Sequence, residues 1–543
     1  MKNMPSTTMG QHDFARIPGG KIPRSVFNRN NGHKTTFDFG TLVPIFFDEA
    51  LPGDTMKMKP QILARMATQL KPVMDNMYID VHWWAVPNRI VWENWQKFCG
   101  EQINPGDSTD YEVPIVETGD GFARGEFYDQ LGIPPEIAHS EVTNLFGRAY
   151  KTIWNEWYRD ENLQDSEVIN LGDGPDSKAA YDTLLPRGKR QDYFTSCLPT
   201  PQKGPAVELP IGGTAPVVLS NNLVNLTTTG APTFDGTGSG TGVKLTASGT
   251  NPDMAEWSSS GISGTAEWND PAITAELADR TGTADLSSAT AATVNAIRQA
   301  IAIQRLYEKD NRGGTRYKEV LMSHFGVTIN DMRLQRPEYL GGTTQRIGVN
   351  PVVQQSGYGD ATGEAQYMGD LAGWATASGA AGNWTKTFDE HTLILCLASA
   401  RADLNYQQGL DRTFSRRTRW DFYWPELANL GEQAVLNKEI YAQGTSADED
   451  VFGYQERFAE YRYKPSTISG VLRSDHPQSL DIWHLAQDFG SLPALGDTFI
   501  QENPPTDRIV AVPSEPKLIL DAYFEYKSIR PMPLYGVPGL ERV

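Results

Sequence analysis

A stretch from Asp75 to Arg89, DNMYIDVHWWAVPNR, constrains the fold more than any other part of the sequence. Side chains of a β-strand point alternately to the two faces of a sheet, so the stretch divides into two sets. One set is wholly apolar: Met77, Ile79, Val81, Trp83 and Ala85. The other set is mixed: Tyr78, Asp80, His82, Trp84 and Val86. Because each set contains a tryptophan, the pattern predicts a strand that is covered on both faces.

Composition limits the class of protein. The chain has 543 residues, of which 50 are Gly and 35 are Pro, and this favours loops and short strands over long helices. A formal net charge of −19 argues against a surface that binds nucleic acid everywhere, although it permits a local basic face. The cysteines, Cys99, Cys197 and Cys396, are too far apart in sequence to suggest a disulfide framework. No hydrophobic leader and no long apolar run occurs, so neither a secretion signal nor membrane insertion is predicted.

The first 34 residues have the opposite charge to the rest of the chain. Asp13 is their only acid, against six basic residues: Lys2, Arg16, Lys21, Arg24, Arg29 and Lys34. No helical or strand period persists there, so we expect an extended basic arm over 1–34 that becomes ordered on a partner.

Strand patterns occur at both ends of the chain and helical patterns lie between them. Strands are predicted at 37–45, from Thr55, and at 391–398, 458–463 and 517–527; helices are predicted at 91–98, 140–157, 289–309 and 317–325. Strands that are distant in sequence must pair to bury their apolar faces. The fold class is therefore mainly β, an antiparallel sandwich such as a jelly roll with long helix- and loop-rich insertions. The strand at Asp75–Arg89 is expected to pair near 391–398 or 517–527.

The segment 204–293 differs from the rest in composition. Thr, Ser, Gly and Ala dominate it, and Lys244 and Arg280 are its only basic residues. A disordered linker is one interpretation. Strand-like runs at 217–219 and 223–226, together with Trp257 and Trp268, favour an inserted β-rich surface subdomain between core parts at 35–203 and 294–543.

Motifs for catalysis or cofactor binding are not evident. The eight histidines are scattered, and no spacing resembles a zinc site, a dinucleotide site or a hydrolase elbow. No catalytic residue, metal or cofactor is therefore predicted. The three acidic residues at 448–450 could bind calcium, but a solvated acidic loop is the favoured interpretation. Abundant acids and tryptophans leave one alternative, a carbohydrate-binding or carbohydrate-active β-sandwich protein.

A basic cluster with aromatic neighbours lies near residue 415. In the stretch DRTFSRRTRWDFYW, four arginines, Arg412, Arg416, Arg417 and Arg419, are interleaved with aromatic residues that include Phe414, Trp420, Phe422 and Tyr423. Arginines for phosphates and rings for unstacked bases are the combination that single-stranded nucleic acid binders use. Taken with the basic arm, this stretch predicts an inner side that faces nucleic acid.

Several long stretches resemble the major capsid proteins of the Microviridae, in particular the gokushovirus branch. They lie at 25–55, 74–101, 316–327, 336–342 and 452–466, for example MDNMYIDVHWWAVPNRIVWENWQKFCGE and FGYQERFAEYRYKPS. The resemblance implies a single eight-stranded jelly roll with long insertions. It also implies a T=1 icosahedral shell of sixty copies around circular single-stranded DNA, in a virion that assembles in the cytoplasm of a bacterial host.

The same resemblance assigns roles to parts of the chain. The insertion 204–293 corresponds to a protrusion that meets a host receptor, a glycan or a protein, with Trp257, Trp268, Asp235 and Lys244 as candidate surface residues. Arg16, Lys21, Arg24, Arg29 and Lys34 of the arm are expected to face the DNA inside. Minor virion and scaffolding proteins are further expected partners. Tryptophans beyond the needs of the core are predicted to lie between subunits: Trp92, Trp95, Trp154 and Trp157.

Overall fold

The computed structural model of the protein describes residues 23–139, 141–205, 207, 217–218, 283–284, 294–314, 316–328, 335–356, 358–359, 365–366 and 368–535. The chain divides into two compact units, one made of 1–205 with 305–543 and the other of 206–304. In the second unit, a two-residue strand at Val217–Val218 pairs with Thr283–Ala284.

Ten strands of the first unit build the main sheet structure. In chain order they are β1 (Ser25–Asn28), β2 (Asn31–Phe37), β3 (Val43–Ala50), β4 (Thr55–Met66), β5 (Met77–Pro87), β6 (Glu338–Val353), β7 (Leu371–Ala380), β8 (Trp384–Thr387), β9 (Thr392–Ala402) and β10 (Leu518–Arg530). They form one continuous antiparallel sheet, in which eight strands follow the order β2-β10-β4-β7-β6-β5-β9-β3. We call its halves, β2-β10-β4-β7 and β6-β5-β9-β3, the first and the second sheet. Strands β1 and β8 extend the edges of the first sheet, and β6 joins the sheets by pairing with both β5 and β7. This is the predicted eight-stranded jelly roll.

Strand β5 is buried on both faces, as its alternation predicts. Its apolar face lies between the sheets, where Trp83 is fully buried and donates its indole N–H to the carbonyl of Ala381 at 2.8 Å. Its other face packs against the insertion that follows the strand, where Trp84 and Val86 join a separate core with Trp92 and Tyr150. The second sheet is thus covered on its outer face by the chain itself.

The partners of β5 were predicted in part. Strand β9 pairs with it along its length, with Cys396 opposite Trp83, which confirms the first predicted partner. Strand β10 pairs instead with β4, so the second predicted partner is wrong. The other neighbour is β6, which begins in a stretch that reads as turns because it contains Gly341 and Gly342.

Helices occupy the insertions rather than the sandwich. The longer ones are α1 (Leu145–Ile153), α2 (Val294–Arg312) and α3 (Tyr317–Phe325), and α1 continues into a π-helical turn, Trp154–Tyr158. Single-turn α-helices lie at Asn88–Val91, Trp95–Phe98, Phe127–Gln130, Lys178–Tyr181, Asn437–Ile440 and Asp497–Ile500. The predicted helix 91–98 is thus split in two. Within the described ranges, no helix is long and apolar enough to cross a bilayer.

Short strand pairs complete the insertions. Ile115–Val116 pairs with Val142–Thr143, Tyr358–Gly359 with Ala365–Gln366, Asn405–Tyr406 with Ser466–Thr467, and Glu432–Leu436 with Val451–Glu456. The last two pairs border a third core cluster around Tyr193 and Phe194. Residues 405–500 therefore pack with the segment around Tyr193 to form a small core of their own.

Two strand predictions are corrected. The predicted strand 37–45 is broken because Gly40 adopts φ of +79°, and a Cβ there would lie 1.8 Å from the carbonyl oxygen of Glu502. The predicted strand 458–463 is a 3₁₀ turn, Ala459–Tyr461, preceded by Phe458 at φ of +61°. A left-handed residue cannot continue a strand, so the alternation at 458–463 is coincidental.

A buried ion pair fixes α1 to the following loop. The Arg148 guanidinium donates to both oxygens of Asp176 at 2.8 and 2.9 Å, and neither side chain is exposed. Asn144 and Asn170 donate to the same carboxylate. Every oxygen of this buried charge is thus hydrogen-bonded, which is the condition under which burial of an ion pair is tolerated.

We predict that D176A lowers the free energy of unfolding by about 3–5 kcal/mol, because it leaves the Arg148 guanidinium buried without its carboxylate. Chemical denaturation of the unassembled chain measures this change. The exposed pair of Arg124 and Glu136 provides the control, since R124A should cost at most about 1 kcal/mol. Equal losses in the two variants would contradict the prediction.

Candidate nucleic-acid and subunit interfaces

The predicted arginine cluster lies on a surface segment of short 3₁₀ turns. The turns are Arg412–Phe414, Arg419–Asp421 and Pro425–Leu427. The carboxylate of Asp421 accepts hydrogen bonds from the backbone N–H groups of Arg417 and Thr418, and these bonds lower its pKa. The segment is therefore held in one shape by its own side chains.

Two of the four arginines are turned inward. Arg412 donates to Glu439 at 2.8 Å and to the carbonyl of Ala434 at 2.7 Å. Arg416 is only 8% exposed and donates to Glu460 at 3.1 Å. A guanidinium bonded to a buried carboxylate is less available to a phosphate, so the geometry does not favour the DNA-facing role of these two residues, which stays a prediction.

The other two arginines remain accessible beside exposed rings. The Arg419 guanidinium lies 4.6 Å from the ring of Trp424, and neither Arg417 nor Arg419 forms an ion pair with any described residue. Phe414 is 80% exposed and Trp420 is 60% exposed. We call these two arginines with Phe414, Trp420 and Trp424 the aromatic patch. An exposed cluster of rings and arginines is typical of a binding surface.

The predicted basic arm is partly a component of the sandwich. Residues 25–37 form β1 and β2, both paired with β10, so the arm cannot extend to residue 34. Arg24 donates to Thr55 at 2.8 Å, Arg29 pairs with Asp48, and Lys34 lies 3.0 Å from Asp521. These three side chains therefore bind their own chain. Arg16 and Lys21 lie outside the described residues.

The predicted inter-subunit tryptophans are mostly core residues. Trp92 and Trp154 are buried and donate their indole N–H groups to Asp173 and to the carbonyl of Pro186, each at 2.8 Å. They present no surface to another subunit, and the prediction is wrong for both. Trp95 and Trp157 are half-buried against the same core, and their predicted role stays a prediction.

Two other predicted sites have different outcomes. The four protrusion candidates, Trp257, Trp268, Asp235 and Lys244, lie outside the described residues. Asp448 accepts backbone hydrogen bonds from Gln443 and Gly444 at 2.9 and 2.7 Å, and Glu449 pairs with Lys438. These carboxylates hold a turn, and no group of His, Cys, Asp and Glu able to hold a metal ion occurs among the described residues.

The sequence interpretation missed a basic surface on the first sheet. Along β4, alternate residues face the core, and the intervening ones are exposed: Lys57, Lys59, Gln61, Leu63 and Arg65. Lys527 of β10 lies directly opposite Lys57, although like charges in this position repel. We call Lys57, Arg65, Lys527 and the half-exposed Tyr523 the basic sheet face. The alternation in TMKMKPQILARM was the signal that could have identified it.

Along this face the cations outnumber their carboxylate partners. Lys59 approaches Glu525 at 3.9 Å, whereas Lys57, Arg65 and Lys527 form no ion pair with any residue that the structure describes. Lys57 and Lys527 are exposed, as is Tyr523 at 49%. Three such cations and a ring on one face of a sheet suit contact with phosphates and bases.

A buried polar cluster was also missed. On the mixed face of β5, Asp80 accepts hydrogen bonds from Thr344 at 2.6 Å and from Arg401 at 2.8 Å. His82 shares a 2.8 Å hydrogen bond with the hydroxyl of Tyr158, and burial lowers its pKa to about 4. The cluster continues to Glu502, whose pKa burial raises to about 7.

Comparisons with known proteins identify relatives along the whole chain. A model of the family described as capsid protein (F protein) matches residues 15–540. Three relatives are each described as capsid protein VP1. The one from Bdellovibrio phage phiMH2K is 48% identical over 97% of this chain and 98% of its own. The one from Chlamydia phage 1 is 40% identical over 98% of both chains, and the one from Spiroplasma virus 4 is 37% identical over 100% of both.

The raised pKa of Glu502 predicts how the stability of the fold depends on pH. The folded chain holds this proton up to about pH 7, whereas the unfolded chain loses it near pH 4.5. Stability from the protonated group is therefore lost as pH rises through this window. We predict that the free energy of unfolding of E502Q, relative to that of the natural chain, rises by about 3 kcal/mol between pH 4.5 and pH 8, because glutamine cannot ionise. Denaturant unfolding at both pH values measures the gain, and a constant difference would contradict it.

Proposed function

Since the chain belongs to the capsid protein (F protein) family of the Microviridae and is a structural component of the virion, we propose that it forms a T=1 icosahedral shell of sixty copies around a single-stranded DNA genome. Family membership over residues 15–540 is the observation that carries this proposal. It also favours the capsid over the alternative of a carbohydrate-binding protein. A shell subunit requires surfaces that match those of its neighbours rather than an active site, and we propose that the chain is not an enzyme.

The architecture of the first unit supports this role. The jelly roll leaves the outer face of one sheet accessible, while the chain's own insertion covers the outer face of the other. Large apolar side chains at the surface, such as Phe47 at 46% and Leu430 at 61%, supply area for contacts between copies. Symmetry repeats each contact, so interfaces of ordinary size can close a stable particle.

We propose that the basic sheet face meets the DNA. The net charge of the chain is −19, so a local excess of unpaired Lys and Arg points to an anionic partner. Strand β1 lies at the edge of the same sheet, and the basic residues at 1–22 precede it. Arg16 and Lys21 are proposed to extend the contact, and Arg417 and Arg419 of the aromatic patch to add a second one.

We propose that the insertion 204–293 forms the surface protrusion used in host attachment. Its acidic, Thr/Ser/Gly-rich composition suits an outer surface rather than one that faces DNA. A glycan or protein receptor on the host is the proposed partner, and minor virion and scaffolding proteins are the proposed partners during assembly.

The assembly proposal predicts discrete closed particles of megadalton size. Electron microscopy of the purified full chain should show them, and so should a variant that lacks 215–285. The same variant should fail to adsorb to host cells, because it lacks the proposed receptor-binding surface. A monomer that stays folded and unassembled across concentration and salt would contradict the shell. Loss of folding in the deletion would contradict a separate surface insertion.

The DNA contact predicts a selective loss of genome. The double variant K57E/K527E should form shells that contain less DNA, because two phosphate-binding cations become anions on one face. The ratio of nucleic acid to protein absorbance of purified particles measures DNA content. The control K97E/R124E changes charge equally, on the insertion that covers the other sheet, and should retain DNA. Equal DNA content in both variants would contradict the assignment of the basic sheet face.

A further inference from the structure

A polar cavity of about 510 Å³ lies beside the buried cluster of Asp80 and Arg401. Its volume is typical of small-molecule sites, which span roughly 300–1,000 Å³. Its walls are formed by Trp157 and Tyr158 of the π-helical turn, by the segment that begins at Arg187 and by the start of α3, and one side is open to solvent. Six cationic side chains line it, against three carboxylates: Arg159, Arg187, Lys189, Arg312, Arg316 and Arg401, with Asp160, Glu161 and Glu319. Such a lining suits an anion.

Four of the six cations are hydrogen-bonded to side-chain oxygens of the chain. Arg401 is bound to Asp80, and Arg312 is bound to Glu432. Arg316 is bound to Glu161 and Glu319. Lys189 donates to the side-chain oxygen of Gln487 at 3.0 Å. The remaining two cations, Arg187 and Arg159, distinguish the cavity from an ordinary network of ion pairs.

Arg187 is a buried guanidinium without a hydrogen bond to any described residue. Only 15% of its side chain is exposed, and it stacks over the ring of Tyr158 at 4.6 Å. Its closest carboxylate oxygen, on Asp80, is 3.9 Å away and already accepts from Arg401. Burial and the charge of Arg401 lower the pKa of Arg187. Burial of a charge without hydrogen bonds is costly, so this position favours an anion.

Arg159 emerges directly from the π-helical turn. Its backbone N–H bonds to the carbonyl of Trp154 at 2.9 Å, which closes the turn. The side chain donates once, from Nη1 to the carbonyl of Gln164 at 2.9 Å, and its Nε has no partner among the described residues. Single π turns inside α-helices occur frequently at functional sites.

We propose that this cavity binds a phosphate group, with Arg187 and Arg159 as the residues that donate to its oxygens. Guanidinium groups present paired N–H donors that match phosphate oxygens, and each such bond is charge-assisted. A free phosphate anion and a phosphate of a nucleotide strand share this chemistry. The cavity shares no residue with the basic sheet face, so the proposal does not depend on the proposed DNA contact.

Calorimetric titration of the full chain with inorganic phosphate, at ionic strength matched with chloride, tests the proposal. The natural chain should bind one phosphate per chain. R187Q and R159Q should each bind phosphate at least about tenfold more weakly, since each variant loses a charge-assisted hydrogen bond. R124Q removes an exposed guanidinium from the surface insertion and should bind as the natural chain does.

A second titration with a short single-stranded oligodeoxynucleotide distinguishes the two sources of phosphate. If the natural chain binds inorganic phosphate and R159Q binds it more weakly, a free phosphate anion is a sufficient ligand. If the natural chain binds only the oligonucleotide, and R159Q binds that more weakly, the ligand is a phosphate of a nucleotide strand. If R187Q does not fold by circular dichroism, R159Q decides the result. Absence of binding to both probes, or the natural affinity for both in R159Q, would overturn the proposal.

Discussion

Burial of β5 on both faces determines how the rest of the protein is arranged. Trp83 and Trp84 are adjacent in sequence, so one must enter the sandwich while the other leaves it on the far side. The neighbouring strand β9 is also buried on both faces, with Leu393, Leu395 and Leu397 in the same outer core as Trp84. This apolar outer face is stable only when covered. The insertion after β5 is therefore a required layer of the fold, not an appendage to it.

The first sheet has the opposite arrangement, and this asymmetry separates scaffold from surface. Strand β4 buries alternate residues and exposes the rest, so its outer face needs no cover. The two opposed lysines, Lys57 and Lys527, would repel in any sheet, which costs stability in the isolated subunit. Retaining such a pair in an acidic chain is understandable if an anionic partner offsets the repulsion. The accessible face of the sandwich is thus also the face whose positive charge favours an anionic partner.

The sequence predicted local patterns and failed where the partner of a residue lies far away. Strands β5, β9 and β10 were predictable because alternation or a buried run persists over many residues. Strand β6 was not, because Gly341 and Gly342 read as turns until β5 is placed beside them. Arg412 and Arg416 read as surface cations because their carboxylates, Glu439 and Glu460, lie 27 and 44 residues further along the chain. Trp92 and Trp154 likewise were interpreted as interface residues, because the sequence does not reveal the second core that buries them.

Buried arginines in this protein have two different roles, which their hydrogen bonds distinguish. Arg148 is fully buried, but each oxygen of its carboxylate partner is hydrogen-bonded, so the pair is satisfied within the chain. Arg187 is nearly as buried, yet its guanidinium has no such partner among the described residues and stands beside a second cation, Arg401. The charge of Arg187 is offset only in part, by the Asp80 carboxylate 3.9 Å away and by the ring of Tyr158. Because burial of a guanidinium without hydrogen bonds is costly, an anion from outside the chain accounts for the position of Arg187 better than stability does.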